Sequence, residues 1–421
     1  MVSASKPPPP TPIHILRTHN APLAAVSFSA DNERLYSGDG AGTVVITNTR
    51  TLRPLAVWQA HTDAILGIQE WTSAEPGGER LVTHGRDNKL HVWQRVRDAA
   101  AALGHSAATP GLQLPQCCYS LDVNALNYCR FSLLCVAPDD AHNGERALIA
   151  VPNLVESSLA DIWTLPGLQR LHAAIGTAGK PPTPAPIEGR GLNATGIIMG
   201  MHLFQVPYPH SSERQQLRLL CAYENGSVTS WGYMRTDKET SVEGVGWEAI
   251  WSVKLHVESG ALFMAMAVSR DASFALTVSA DHLIGRGRLH AVQLAESPDT
   301  RESACAVHRT KHPGNAAVAI RDDGRVCAVG GWDGRIRLYS TRSMKPLGTL
   351  DYYKKSCQAV AFARLAPHVA SAPNRAPNAD EDSEDEMGDE EKADRSRWLA
   401  AGGQDGRVTV WPLMSFGGSG T

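Results

Sequence analysis

The chain has 421 residues, 43% hydrophobic and 20% charged, with 37 glycines and 26 prolines. That composition suits a globular protein with a sizeable core. No apolar run approaches the roughly 20 residues of a membrane-spanning helix, so neither a membrane span nor a membrane partner is expected. The net charge of −3 hides an asymmetry: residues 380–394, DEDSEDEMGDEEKAD, hold ten acids and one lysine, and the rest carries 39 basic against 33 acidic side chains.

In chain order, residues 1–11 are Pro-rich and read as a disordered tail, with docking into an aromatic groove as the alternative. MVSASKPPPPTP also lacks the apolar segment of a secretory signal. LRTHNAPLAAVSFSADNERLYSG (16–38) places His19 a few residues before an alternating apolar strand. SGDGAGTVVIT (37–47) then keeps hairpin spacing, but with Ala41 and Thr47 where later copies have Asp and an aromatic. WQAHTDAILGIQEW (58–71) and LVTHGRDNKLHVW (81–93) repeat the pair with His61, Asp87 and Trp93. YENGSVTSW (223–231) is a weaker copy with Asn225 at the Asp position. TKHPGNAAVAIRDDGRVCAVGG (310–331) and GWDGRIRLY (331–339) supply His312, Asp333 and Tyr339. GQDGRVTVW (403–411) supplies Asp405 and Trp411 without an upstream histidine. Period-two alternation argues strands, and Asp-Gly or Asp-Asn between them argues hairpins. The eight cysteines include the adjacent Cys117 and Cys118 and no C-x-x-C. Without an export signal they are expected as reduced, buried thiols, and the sequons at Asn193 and Asn225 as unused.

These motifs resemble the WD-repeat family, whose units carry Gly-His near the start and Trp-Asp near the end. The fold expected is all-β: a seven-bladed WD-repeat β-propeller over 12–414 with long loop insertions. Units are placed at about 17–57, 58–114, 115–169, 170–249, 250–302, 303–346 and 347–411. Residues 13–16 are expected as the outer strand of the last blade, joining the ring's ends. Residues 371–395 are expected as a disordered acidic insertion in that blade, and 415–421 as a flexible tail. By resemblance, the turn aspartate bonds the upstream histidine. The histidine bonds a Ser or Thr of the second strand, which bonds the tryptophan. Unit two would supply the whole set: His61, Thr83, Asp87 and Trp93. Unit six would keep His312 and Asp333 with Tyr339 replacing Trp; unit seven, Asp405 and Trp411. Arg86 and Lys89, beside the turn, are expected to be solvated.

Enzymatic motifs fail in turn. GTAGKPP (176–182) has the wrong glycine spacing for a phosphate loop. His308 and His312 lack a glutamate between them, and neither a G-x-S-x-G nor a Cys/His zinc spacing occurs. No catalytic residue, metal or cofactor is expected. HILRTHNAPLAAVSFS, LVTHGRDNKLHVWQ, GGWDGRIRLYS and AAGGQDGRVTVW are similar to the fungal ASTRA-associated protein 1 family. That resemblance implies a non-catalytic scaffold subunit of a nuclear assembly linked to chromatin regulation and maturation of PI3-kinase-like kinases. Its partners would be the telomere-length-regulation cochaperone, RuvB-like helicases and a PI3-kinase-like pseudokinase. The nucleus, with the cytoplasm second, is the expected location; direct nucleic-acid binding is not expected. The alternative is a generic WD-repeat adaptor of another complex. A G-protein β subunit is disfavoured for want of N-terminal heptads.

The long extras gather mainly on one face, between first and second strands (73–79, 138–145, 205–216, 367–396) or third and fourth strands (95–111, 235–246), with GTAGKPPTPAPIEGR (176–190) as the main exception. This insertion-rich face is the expected docking side, with Asp380, Glu381, Asp382, Glu384, Asp385 and Glu386 as candidate partner contacts. The alternative is that these are merely solvated loops. Ser383, followed by Glu-Asp-Glu, reads as an acidic-directed phosphorylation site.

Overall fold

A computed structural model describes residues 10–72, 78–96, 112–136, 146–177, 195–208, 211–256, 263–289, 305–365 and 388–414. Seven four-stranded antiparallel sheets form a seven-bladed propeller. Blade one runs Leu23–Phe28, Arg34–Asp39, Thr43–Asn48 and Pro54–Gln59 from the channel outward. Blade two follows with Ile65–Thr72, Glu79–Gly85, Lys89–Gln94 and Cys117–Asp122. Blades three to six repeat the order, starting from Ser132–Val136, Ile198–Tyr208, Phe263–Val268 and Asn315–Ile320. Blade seven takes three strands from the chain's end, Cys357–Phe362, Trp398–Gly403 and Val408–Pro412, and its outer strand, His14–Leu16, from the start. His14 pairs with Val410 and Leu16 with Val408. Ile13 N–H adds a bond to Val410 O at 2.9 Å.

Position in the blade explains the strand compositions. Second strands lie between neighbouring blades and are covered on both faces, so Phe274–Ser279, Val326–Gly331 and Trp398–Gly403 are buried at every residue. They read as continuous apolar or small runs. Outer strands have one wet face: Cys117–Asp122 alternates, and Pro346–Asp351 is almost wholly exposed. The core is accordingly a set of inter-blade layers, such as Leu23 and Val26 of blade one against Trp398 and Ala400 of blade seven.

Some expectations need correction. QVPYPHSSERQQ (205–216) is not a loop insertion. It extends the first hairpin of blade four, pairing Gln205 with Leu217 and Tyr208 with Ser211. Residues Asp389–Arg395, expected to be disordered, form helix α1, whose acids open the first turn and whose Lys392 and Arg395 close the last. Nor are all the thiols buried: Cys117, Cys118 and Cys135 are exposed and Cys305 is half-buried, because outer strands and strand ends carry them. The residues before 10, the rest of the acidic stretch and those after 414 lie outside the described residues.

The short connections between first and second strands are tied blade to blade. Asp322 of blade six accepts from Arg270 of blade five at 2.8 Å and from Leu365 N–H of blade seven at 3.2 Å. Asn32 of blade one exchanges two 2.7 Å bonds with the Arg364 backbone. Ala30 N–H reaches Glu70 of blade two at 2.8 Å.

Candidate interaction site

Buried polar relays rigidify one end of the blades. In blade two, Trp93 Nε1–H donates to Thr83 Oγ1 at 2.8 Å. Thr83 Oγ1 lies 2.8 Å from His61 Nε2, and His61 Nδ1 lies 2.9 Å from Asp87 Oδ1. Burial lowers the His61 pKa, against the pull of Asp87. Burial raises that of Asp87, but the Thr62 N–H and His61 outweigh it and hold the carboxyl below its usual range. The arrangement fits a neutral imidazole donating from Nδ1 to a carboxylate and accepting at Nε2, so every donor points the same way. Both nitrogens are spent, leaving no free base. His91 stacks on His61 with ring centroids 4.6 Å apart, and His61, Asp87 and His91 are close enough to suggest a metal site. A metal would have to displace the bonds that orient His61, so the cluster is structural.

Blade six does not assemble as expected. His312 is exposed, and its N–H bonds Thr310 rather than its ring bonding Asp333. Asp333 instead takes Arg337 Nη1 at 3.1 Å. The physical reason lies in the second strand: the position of Thr83 is Val329, which offers no hydroxyl to orient an imidazole. Tyr339 is buried, with burial raising its pKa. In blade seven, Asp405 Oδ1 accepts the Arg407 N–H at 3.2 Å and Trp411 Nε1–H donates to Thr409 Oγ1 at 2.9 Å.

Sequence reasoning passed over further relays. His19 lies 2.9 Å from Asp39 and 2.8 Å from Ser37 in blade one. His256 lies 3.0 Å from both Asp281 and Thr277 in blade five. The signal was present in blade five: Thr277 and Asp281 stand four residues apart, like Thr83 and Asp87. In blade one the acid sits two residues earlier, at Asp39, which also accepts the Ala41 and Thr43 N–H groups.

The candidate contacts Asp380, Glu381, Asp382, Glu384, Asp385 and Glu386 lie outside the described residues. Lys89 is exposed and pairs with Asp122. Arg86 is not simply solvated, for its guanidinium lies 4.0 Å over the Tyr128 ring. Tyr128 stands at the central channel, a cavity of about 640 Å³ walled by the first strands of the ring.

Comparison with known proteins agrees with the geometry. The family described as "WD domain, G-beta repeat" matches residues 10–48 and 306–340. The chain is 33% identical to ASTRA-associated protein 1 of Verticillium alfalfae, over 97% of this chain and 94% of that one. It is 30% identical to the Pyricularia oryzae protein of the same name, over 98% and 100%, and 26% identical to that of Schizosaccharomyces pombe, over 84% and 93%. A propeller with relays in phase with its repeats, similar to these proteins along nearly its whole length, belongs to the ASTRA-associated protein 1 family.

Proposed function

We propose that the chain is a non-catalytic WD-repeat scaffold subunit of an ASTRA-type assembly. Similarity over nearly the whole length of proteins bearing that name carries the reading. The interior supports it: each relay histidine described above, in blades one, two and five, has both ring nitrogens engaged. Such groups brace a binding surface and leave no poised acid or base. The finer reading places the protein in the nucleus, beside the telomere-length-regulation cochaperone, RuvB-like helicases and a PI3-kinase-like pseudokinase. In that setting it would serve chromatin regulation and kinase maturation. Purification of the tagged chain from its native cells tests this. Recovery of those subunits together is the expected result; a stable assembly lacking all of them would replace this reading with a generic adaptor.

A further inference from the structure

The seam between blades two and three departs from the rest of the ring. Where the second strand passes the neighbouring blade, blades one, six and seven have Gly38, Gly330 and Gly402. A Cβ on each of these would press on Ile65, Cys357 and Leu23 respectively. Blade two has His84 there, paired with Gly67. His84 is completely buried, and both ring nitrogens lack a hydrogen-bond partner among the described residues. Across this seam the connection into blade three, residues 123–131, brings Tyr128 and Arg130 to the channel wall.

Among the described residues, Arg130 is the single charged side chain in a lining otherwise made of Ala, Val, Ile, Leu, Met and Gly, with Ser356, Gln358, Tyr128 and Trp332. Its guanidinium has neither an ion-pair nor a hydrogen-bond partner among those residues. The residue is exposed to the channel. At the mouth, Tyr128 is 58% exposed, and Trp332, from the far side of the ring, is 51% exposed. Tyr128 is held by Arg86, whose buried Nε also lacks an acceptor among the described residues. Trp332 is held flat on Gly314, where φ is +82° and a Cβ would meet the indole at 2.9 Å.

The mouth is basic as well as aromatic. The described connections that lead into the channel-lining strands carry Arg17, Arg130, Lys311, Lys354 and Lys355 against a single acid, Asp63. An unpaired arginine, exposed in a channel whose walls are otherwise mostly apolar, favours a carboxylate, which it can take through two parallel bonds. Exposed aromatic rings clamped in place favour a bulky apolar side chain at little entropic cost. A volume of about 640 Å³ is within the roughly 300–1,000 Å³ of ligand pockets.

The geometry points to this mouth as a binding site for an extended segment of a partner protein that presents a carboxylate beside bulky apolar side chains. The carboxylate pairs with Arg130, and the apolar side chains rest on Tyr128 and Trp332. This surface lies on the Asp-turn face. The inference stands or falls apart from any particular assembly.

Fluorescence anisotropy on the full chain tests it. The probes are fluorescein-labelled nonapeptides alternating Leu or Phe with Asp or Glu, and matched peptides with Asn or Gln. The acidic set should bind at least tenfold tighter than the amide set. Arg130→Met should abolish that preference, and Arg130→Lys should keep part of it. Trp332→Ala, at an exposed position, should weaken the acidic set several-fold, and Arg342→Met on the opposite face should change nothing. Equal binding of the two sets, or a preference that survives Arg130→Met in a protein with unchanged melting temperature, would overturn the proposal. If Arg130→Met melts early, Arg130→Lys and Trp332→Ala take its place; wild-type affinity in both would overturn the proposal. Arg130-dependent binding of labelled oligouridine with no binding of acidic peptide would also overturn it, in favour of nucleic acid.

Discussion

Tyr353 occupies in blade seven the place that His61 holds in blade two. Its hydroxyl donates to Ala401 O at 2.6 Å and lies 2.8 Å from Thr409 Oγ1, which receives the Trp411 indole N–H at 2.9 Å. A Cβ on Gly403 would collide with the Tyr353 ring, as one on Gly85 would with His61. The relay has been rebuilt: the hydroxyl moved from the second strand, where Ala401 stands for Thr83, to Thr409 of the third. Tyr353→Phe leaves the Thr409 hydroxyl short of a buried partner and should cost about 1–2 kcal/mol in urea melts. Gly403→Ala should cost more, by forcing the ring out of its slot. Wild-type stability in both variants would show that the substitution of tyrosine for histidine is incidental.

The blade-two relay should respond as a unit. Asp87→Ala should cost about 1–3 kcal/mol by stranding His61 and the Thr62 N–H. Adding His61→Ala should cost much less than it does alone. Strictly additive losses would mean that the members act independently.

How far these features were legible depended on which member of each relay survived. Unit two kept all four residues, so the family resemblance carried the whole set over. Blade five lost its aromatic to Gly287, so a search anchored on the terminal tryptophan passed over His256, Thr277 and Asp281. Blade one moved its acid, and blade six kept a histidine with nothing to hold it. Blade seven changed residue type altogether. The channel mouth was invisible for another reason. Arg130 and Trp332 are two hundred residues apart, and only ring closure brings them to one cavity.

Closure should depend on three residues of strand. The His14 ring meets Trp398 edge-on at 5.7 Å, and Arg395 of α1 lies 5.3 Å over the same indole. Deleting 1–10 leaves this intact and should be harmless. Deleting 1–17 exposes the edge of Val408–Pro412 and should lower the melting temperature and promote association. Equal melting temperatures for the two truncations would refute the role of residues 13–16.

Acid should loosen the blades before it touches the surface. Burial lowers His84 to about 3 and His172 to about 4, from the usual 6.5. Below pH 6.5 the unfolded chain binds protons that the folded chain refuses. The stability tied to these groups is therefore whole above that pH and falls as pH drops toward the folded values. At pH 5 each should have lost about 2 kcal/mol. His84→Gln should flatten the stability profile between pH 7 and 5; a profile parallel to the wild type would show that His84 does not titrate on unfolding.

The acidic insertion should act through charge. Replacing 372–387, which spares α1, with a short Gly/Ser linker should leave the melting temperature nearly unchanged. It should weaken capture of assembly subunits most at low salt, where attraction is least screened. Capture unchanged across a salt series would show the segment dispensable. Loss of capture through Arg86→Glu instead would move docking to the Asp-turn face.

Membership of an ASTRA-type assembly is tested most directly by reconstitution. Purified full-length chain mixed with the purified telomere-length-regulation cochaperone and its partner proteins should co-elute on size exclusion as one complex, at physiological salt and without added nucleotide. Separate elution at micromolar concentrations, with the propeller folded by circular dichroism, would contradict the assignment.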